Sequence, residues 1–157
     1  KVTVSALANE RSSIGEVTQM FSKLDELKDL VKNTRVQGKP AAEDPAVRRQ
    51  LARFETKIAA MKYNGLRYLT KQIKGEPLSS ETSVNKLHRA SLEIEMDDFA
   101  VSLSGEAGLQ LKGGENAVGG GSWSKSALNW PNVVIGGGTP NIQRNIIAER
   151  ILGLPKD

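Results

Sequence analysis

The chain has 157 residues, enough for one domain with a real core. It has no cysteine, which excludes disulfides, thiolate metal sites and a thiol nucleophile. Lys+Arg (22) barely exceed Asp+Glu (18), for a net charge of +4, and the basic residues are interspersed with acidic ones, so the concentrated stripe that nucleic-acid binding needs is absent.

No apolar run is long enough to cross a bilayer, and no charged start leads into an apolar signal segment. The chain opens at Lys1, partway into a helical pattern, which predicts a piece of something longer.

The first predicted helix runs from about Val2 to Val36. Leu7, Ile14, Val17, Phe21, Leu24, Leu27 and Val31 recur three, four or seven apart, as one helix face requires. Asp25 with Lys28 and Asp29 with Lys32 give it a solvated opposite face. Gly38 and Pro40 end it. The second helix opens at Asp44-Pro45, a capping residue followed by proline at the first helical position. Val47, Leu51, Phe54, Ile58, Met61 and Leu69 form its stripe, and Gly75 stops it, with Pro77 just beyond.

The third helix starts near Ser79-Ser80, with Glu81 in its first turn, and runs to about Lys112. Val84, Leu87, Ile94 and Val101 share one side, and Leu92, Met96, Phe99 and Leu103 a neighbouring side, so the stripe is broad enough to bury against more than one partner. Eight of the fifteen glycines lie within 113–138, which reads as loop, with Trp123 and Trp130 embedded in it as packing or interface residues. The last helix is capped by Thr139, begins at Pro140, carries Ile142, Ile146, Ile147 and Leu152, and stops at Gly153. No strand is evident. Long helices with short connections predict an all-α fold, an up-and-down helical bundle with a terminal helix.

Gly136-Gly137-Gly138-Thr139-Pro140 is the most informative segment. Three glycines let backbone come close to a ligand, and the helix start offers unpaired N–H groups to anionic or polar groups. On spacing alone, a merely flexible connection explains it as well. His88 has no cysteine or carboxylate constellation around it, so neither a metal nor a catalytic role is expected. Glu93, Glu95, Asp97 and Asp98 spread around their helix and read as solvated or paired, with Asp98 intruding on the first apolar side.

The closing stretch, Ile135-Gly-Gly-Gly-Thr-Pro-Asn-Ile-Gln-Arg-Asn-Ile-Ile-Ala-Glu-Arg150, resembles the closing signature of acyl-CoA dehydrogenases. Asp44-Pro45-Ala46-Val47-Arg48-Arg49-Gln50-Leu51-Ala52 is similar to the start of the second helix of that family's C-terminal domain in bacterial members, and Leu7-Ala8-Asn9-Glu10-Arg11 is similar to its first helix. The resemblance implies that residues 1–157 form a single helical-bundle domain, the C-terminal fragment of a longer FAD-dependent enzyme. That family oxidises an acyl-CoA thioester to the 2,3-enoyl-CoA: a carboxylate removes the α proton while the β hydrogen passes as hydride to flavin.

Many members seat this base two residues before the threonine, a position held here by Gly137. Others carry a glutamate just before an arginine on the first helix, which Glu10 matches, whereas the same pair read without the family is a solvated surface pair. The resemblance therefore implies Glu10 as catalytic base, Arg11 as a substrate contact, and Gly138, Thr139 and Asn141 as FAD contacts, with no metal. It further implies an electron-transferring flavoprotein as acceptor, a homodimer or homotetramer, and a bacterial cytoplasmic location, with the mitochondrial matrix as alternative.

Two family motifs are missing. Arg-x-x-Phe-Gly, whose arginine reaches the flavin diphosphate, is replaced by Asn33-Thr34-Arg35-Val36-Gln37-Gly38, and the Gln-x-x-Gly-Gly loop by Leu103-Ser104-Gly105-Glu106-Ala107-Gly108. The alternatives are a non-catalytic subunit of a mixed-subunit dehydrogenase and a helical association module without ligand. The 157-residue piece alone is expected to be inactive.

Overall fold

The computed structural model describes residues 14–76 and 80–156, so the predicted helical stretch before Ile14 lies outside it. Helix α1 spans Ile14–Asn33, α2 Pro45–Ile73 and α3 Thr82–Ser104. In α1 the buried Val17, Met20, Leu24, Leu27 and Val31 step by three and four, tracing the predicted face. In α2 the buried face is Val47, Phe54, Ile58, Met61 and Tyr68. Asp44 caps it as predicted: its Oδ1 accepts from the N–H groups of Ala46 (2.7 Å) and Val47 (3.4 Å).

Polar contacts fix the helix directions. Lys71 meets Glu81 at 2.8 Å and Lys57 meets Glu95, so α3 runs antiparallel to α2. Arg89 meets Glu16 and Lys23 meets Asp97, both at 2.8 Å, so α3 runs parallel to α1. Up, down and up again, the bundle closes on Leu24, Leu27, Phe54, Ile58, Leu92 and Met96. Phe54 and Phe99 stack edge to face, 5.7 Å between centroids. Each such large side chain contributes about 2–3 kcal/mol by leaving water.

Four expectations need correction. α1 stops at Asn33, and a small antiparallel hairpin follows, Arg35–Val36 (β1) against Lys39–Pro40 (β2). Gln37 and Gly38 turn it at φ +50° and +79°. α3 ends at Ser104, not near Lys112, because Gly105 takes φ +58° and a short 3₁₀ helix, Gly105–Leu109, replaces the last predicted turns. A Cβ at Gly108 would lie 2.5 Å from the Val101 carbonyl oxygen, so only glycine fits that crossing. The glycine-rich stretch is not all loop: it holds α4 (Ser122–Leu128) and α5 (Trp130–Ile135). Finally, Asp98 is exposed, and its neighbour Asp97 is the buried acid.

Helix α6 spans Pro140–Ile146, starts as predicted, and passes into one π turn, Ile147–Ile151. Trp123 enters the main core with Lys23 Nζ 5.8 Å over its ring, while Trp130 is exposed. Of the two predicted sides of α3, Leu92 and Met96 are buried, whereas Val84 faces out. Among the described residues, no helix is long and apolar enough to cross a membrane.

Candidate functional site

The segment joining α5 to α6 is a tight turn. The Gly138 N–H donates to the Ile135 carbonyl at 3.1 Å, across Gly136 (φ −57°, ψ 131°) and Gly137 (φ +69°). These are the angles of a type II turn, whose third residue must adopt a left-handed conformation. Gly137 is thus glycine for a backbone reason. A Cβ there would also sit 3.2 Å from Lys86 Cε.

Gly138 follows at φ +103°, then Thr139, whose Oγ1 accepts from the Ile142 N–H at 3.4 Å to cap α6. Asn141 stands exposed in the first turn of α6, its Oδ1 accepting from Arg144 Nη1 at 3.1 Å. The structure therefore brings Gly138, Thr139 and Asn141 together on one turn and helix start. Glu10 and Arg11 lie outside the described residues. Arg35 sits exposed on the hairpin, with its Nε donating to the Gly38 carbonyl at 3.1 Å. In the 3₁₀ segment after α3, the exposed charged side chain is the acid Glu106.

Beneath the turn lies a cavity of about 330 Å³ lined by Glu16, Lys86, Arg89, Glu93, Asn132 and Gly137, among others. Lys86 is only 8% exposed; its Nζ donates to the Val133 carbonyl at 2.7 Å, capping the last turn of α5. Glu16 accepts from Arg89 Nη1 at 2.8 Å, and Arg89 reaches Glu93 at 3.4 Å. The line continues through Lys23, 3.8 Å from Glu93 and 2.8 Å from Asp97, to Ser126, whose Oγ donates to Asp97 at 2.8 Å. Burial pushes the Glu16 carboxyl above the usual range, against the pull of Arg89 and Lys86. Burial does the same to Asp97, against its hydrogen bond and charge interaction with Lys23.

Sequence reasoning missed Lys86 and Gln143. Gln143 has no exposed surface, and its Nε2 donates to the carbonyls of Gly137 (2.8 Å) and Gly138 (3.4 Å). A signal existed: tight glycine turns leave carbonyls that need donors, and a glutamine stands just downstream, one turn after Thr139. His88 lines a separate groove with Lys57, Ser91, Glu95 and Arg144. Among the described residues no group of three or more His, Cys, Asp or Glu side chains could hold a metal ion.

The family model described as "Acyl-CoA dehydrogenase, C-terminal domain" matches residues 1–152. The chain is 33% identical to "Acyl-CoA dehydrogenase IpdE1" of Mycolicibacterium smegmatis, covering 100% of this chain and 37% of that protein. It is 31% identical to the protein of the same name from Mycobacterium tuberculosis, covering 100% of this chain and 38% of that one. This chain thus spans little more than a third of the length of these curated relatives. Among solved structures, it is similar to the Tcur3481-Tcur3483 steroid ACAD, with TM-score 0.78 and 24% identity over 96% of this chain and 38% of that chain. It is also similar to a chain of the ChsE4-ChsE5 complex from Mycobacterium tuberculosis, with TM-score 0.75 and 24% identity over 88% and 35%. At these identities the structures share the fold.

Proposed function

Since this chain belongs to the acyl-CoA dehydrogenase family, as its C-terminal helical domain, we propose that the whole protein is an FAD-dependent dehydrogenase of acyl-CoA thioesters. The observation that carries this reading is the glycine turn: Gly138, Thr139 and Asn141, the residues matching flavin contacts, converge there above a charged cavity. Residues 1–157 form one domain of that longer flavoenzyme, and the bacterial relatives favour a cytoplasmic location.

The donor set fits the ring end of FAD. Gly138 carries no side chain, the Thr139 hydroxyl is half-buried, and the Asn141 amide is exposed. The diphosphate end fits less well, because Arg35 already donates to its own hairpin and the loop after α3 carries Glu106, an acid. When bound, the flavin supplies a two-electron acceptor for the β hydrogen. Thr139 and Asn141 would hold the flavin, Glu10 would remove the α proton, and Arg11 would touch substrate and favour the charged carboxylate. The electron acceptor would be an electron-transferring flavoprotein, and the bundles would assemble into a homodimer or homotetramer.

In the complete protein, Glu10→Gln is expected to lower turnover by at least about a hundredfold while flavin stays bound. Unchanged turnover removes Glu10 from the role of base. The 157-residue piece alone is expected to show no turnover with an artificial acceptor, because much of the acyl-CoA site belongs to the rest of the protein.

A second reading has its own support. Gly137 is locked as glycine by its turn, and two of the similar structures are named as pairs of different proteins. In that reading this subunit is a non-catalytic member of a mixed-subunit dehydrogenase, and the Glu10→Gln protein keeps the activity of the assembly.

A further inference from the structure

Gln143 is the residue that the chemistry above leaves unused. Around it on α6, Asn141, Ile142, Arg144 and Asn145 are exposed, yet Gln143 has no exposed surface at all. Its amide orientation is fixed, because only Nε2 donates to the two carbonyls it faces. That leaves Oε1 buried without a partner among the described residues. Burying an acceptor unpaired costs free energy that a methionine of similar length avoids. The unpaired acceptor therefore offsets part of what the two donor bonds contribute to stability. What only the amide provides is a pair of N–H donors aimed at Gly137 and Gly138.

Those donors set two peptide planes. A trans peptide turns its N–H opposite to its carbonyl. With the Gly137 carbonyl drawn to Gln143, the Gly138 N–H points away and closes the turn on Ile135 at 3.1 Å. With the Gly138 carbonyl drawn inward, the Thr139 N–H is sent away from the amide. From the opposite side, Lys86 holds the Val133 carbonyl and lays its stem below Gly137. Left-handed glycines have broad freedom, so without such holds their peptide planes would rock.

We propose that Gln143 is a positioning residue: its buried amide clamps the Gly137 and Gly138 carbonyls and thereby aims Gly138 and Thr139 at the flavin ring. The proposal rests on the reading that FAD binds at this turn.

The test uses the complete protein stripped of flavin and titrated with FAD, with binding followed by the visible flavin band and its fluorescence. Gln143→Met is expected to keep the wild-type helix content and melting temperature, weaken FAD affinity about tenfold, and shift the band. Gln143→Glu keeps the length but loses the donors when ionised. Its affinity relative to wild type is expected to be low at about pH 8 and to recover at about pH 5.5, where a buried carboxyl takes a proton and donates to Gly137 again. A role confined to folding predicts that recovery only where the Glu variant is partly unfolded at about pH 8; the clamp predicts it with the circular-dichroism signals of the fold unchanged between the two pH values.

Wild-type binding with both variants matching it in affinity and band at both pH values overturns the clamp and leaves the flavin reading intact. A wild-type protein that takes up no FAD overturns the flavin reading, and the clamp falls with it. If Gln143→Met melts early, the Glu variant decides: recovery of affinity with the protein folded at both pH values supports the clamp, and pH-independent affinity, or recovery that only follows refolding, overturns it.

Discussion

In α1 and α2, Leu24, Leu27, Phe54 and Ile58 have no exposed surface, whereas Leu128, Ile135 and Leu152 in the arm after α3 stand 69%, 63% and 64% exposed. Both regions carry apolar residues at helical spacing, Ile142, Ile146, Ile147 and Leu152 among them in the arm. In the bundle, each stripe faces another of the same chain. In the arm, the polar Gln143 is buried, Ile135 and Ile142 look outward, and Ile146 and Ile147 are half-buried. The difference teaches that amphipathic spacing identifies a helix but not the location of its partner. A run of outward apolar side chains on Leu128, Trp130, Ile135, Ile142 and Leu152 is what a surface covered by another domain or subunit looks like, which agrees with the assembly proposed above.

The sharpest way to break this contrast is paired truncation. Phe54→Ala is expected to cost about 3–5 kcal/mol in urea unfolding of the 157-residue chain, and Leu152→Ala less than about 0.5 kcal/mol. Equal losses would mean that the arm is packed by this chain after all. Next comes the ion line that ties the two regions together. Lys23→Met leaves the buried Asp97 with Ser126 but without its cation, and a loss of about 2–3 kcal/mol is expected at neutral pH, below the fully buried case because Lys23 is partly exposed. A change of a few tenths would show that Ser126 and water suffice.

Gly137→Ala is expected to cost about 1–2 kcal/mol through its left-handed φ, although the position is exposed. A neutral result would mean that the turn relaxes. The smallest effect concerns pH. Asp97 and Glu16 have folded pKa values raised by burial, so between the ordinary carboxylate value and the raised one the folded state holds protons that the unfolded chain has released. Stability from these groups is therefore greatest when they are protonated, falls as pH rises through that window, and carries the full penalty at neutral pH. Asp97→Asn is expected to show a smaller drop in melting temperature than wild type between about pH 4 and about pH 7. Equal drops would assign the slope elsewhere.

The bundle was legible because its punctuation is chemical. Asp44-Pro45 and Thr139-Pro140 start helices where they stand, and Gly75 ends one at φ +74°. The hairpin at residues 35–40 was not legible, since two-residue strands leave no alternation to detect. α4 and α5 were hidden by averaging: the glycines of 113–138 cluster at its two ends, and Ser122–Ile135 between them holds none. Asp97 was mistaken for Asp98 because one residue is 100° of helix, and a broad stripe leaves that much ambiguity. For the site, the turn and its flavin-matching residues could be read from the family motif. The roles of Gln143 and Lys86 could not, because both depend on which carbonyls the tertiary fold leaves without donors.

The left-handed residue of the type II turn also bears on how such a protein can change. Were selection to favour an acid at Gly137, a single codon change would install it on a backbone hostile to side chains and against the stem of Lys86. The left-handed φ would cost about 1–2 kcal/mol, and the flexible Lys86 stem would have to give way slightly before the new carboxylate could settle. An acid at this spot would therefore start from a modest backbone handicap, with the cation of Lys86 close enough to offset part of it.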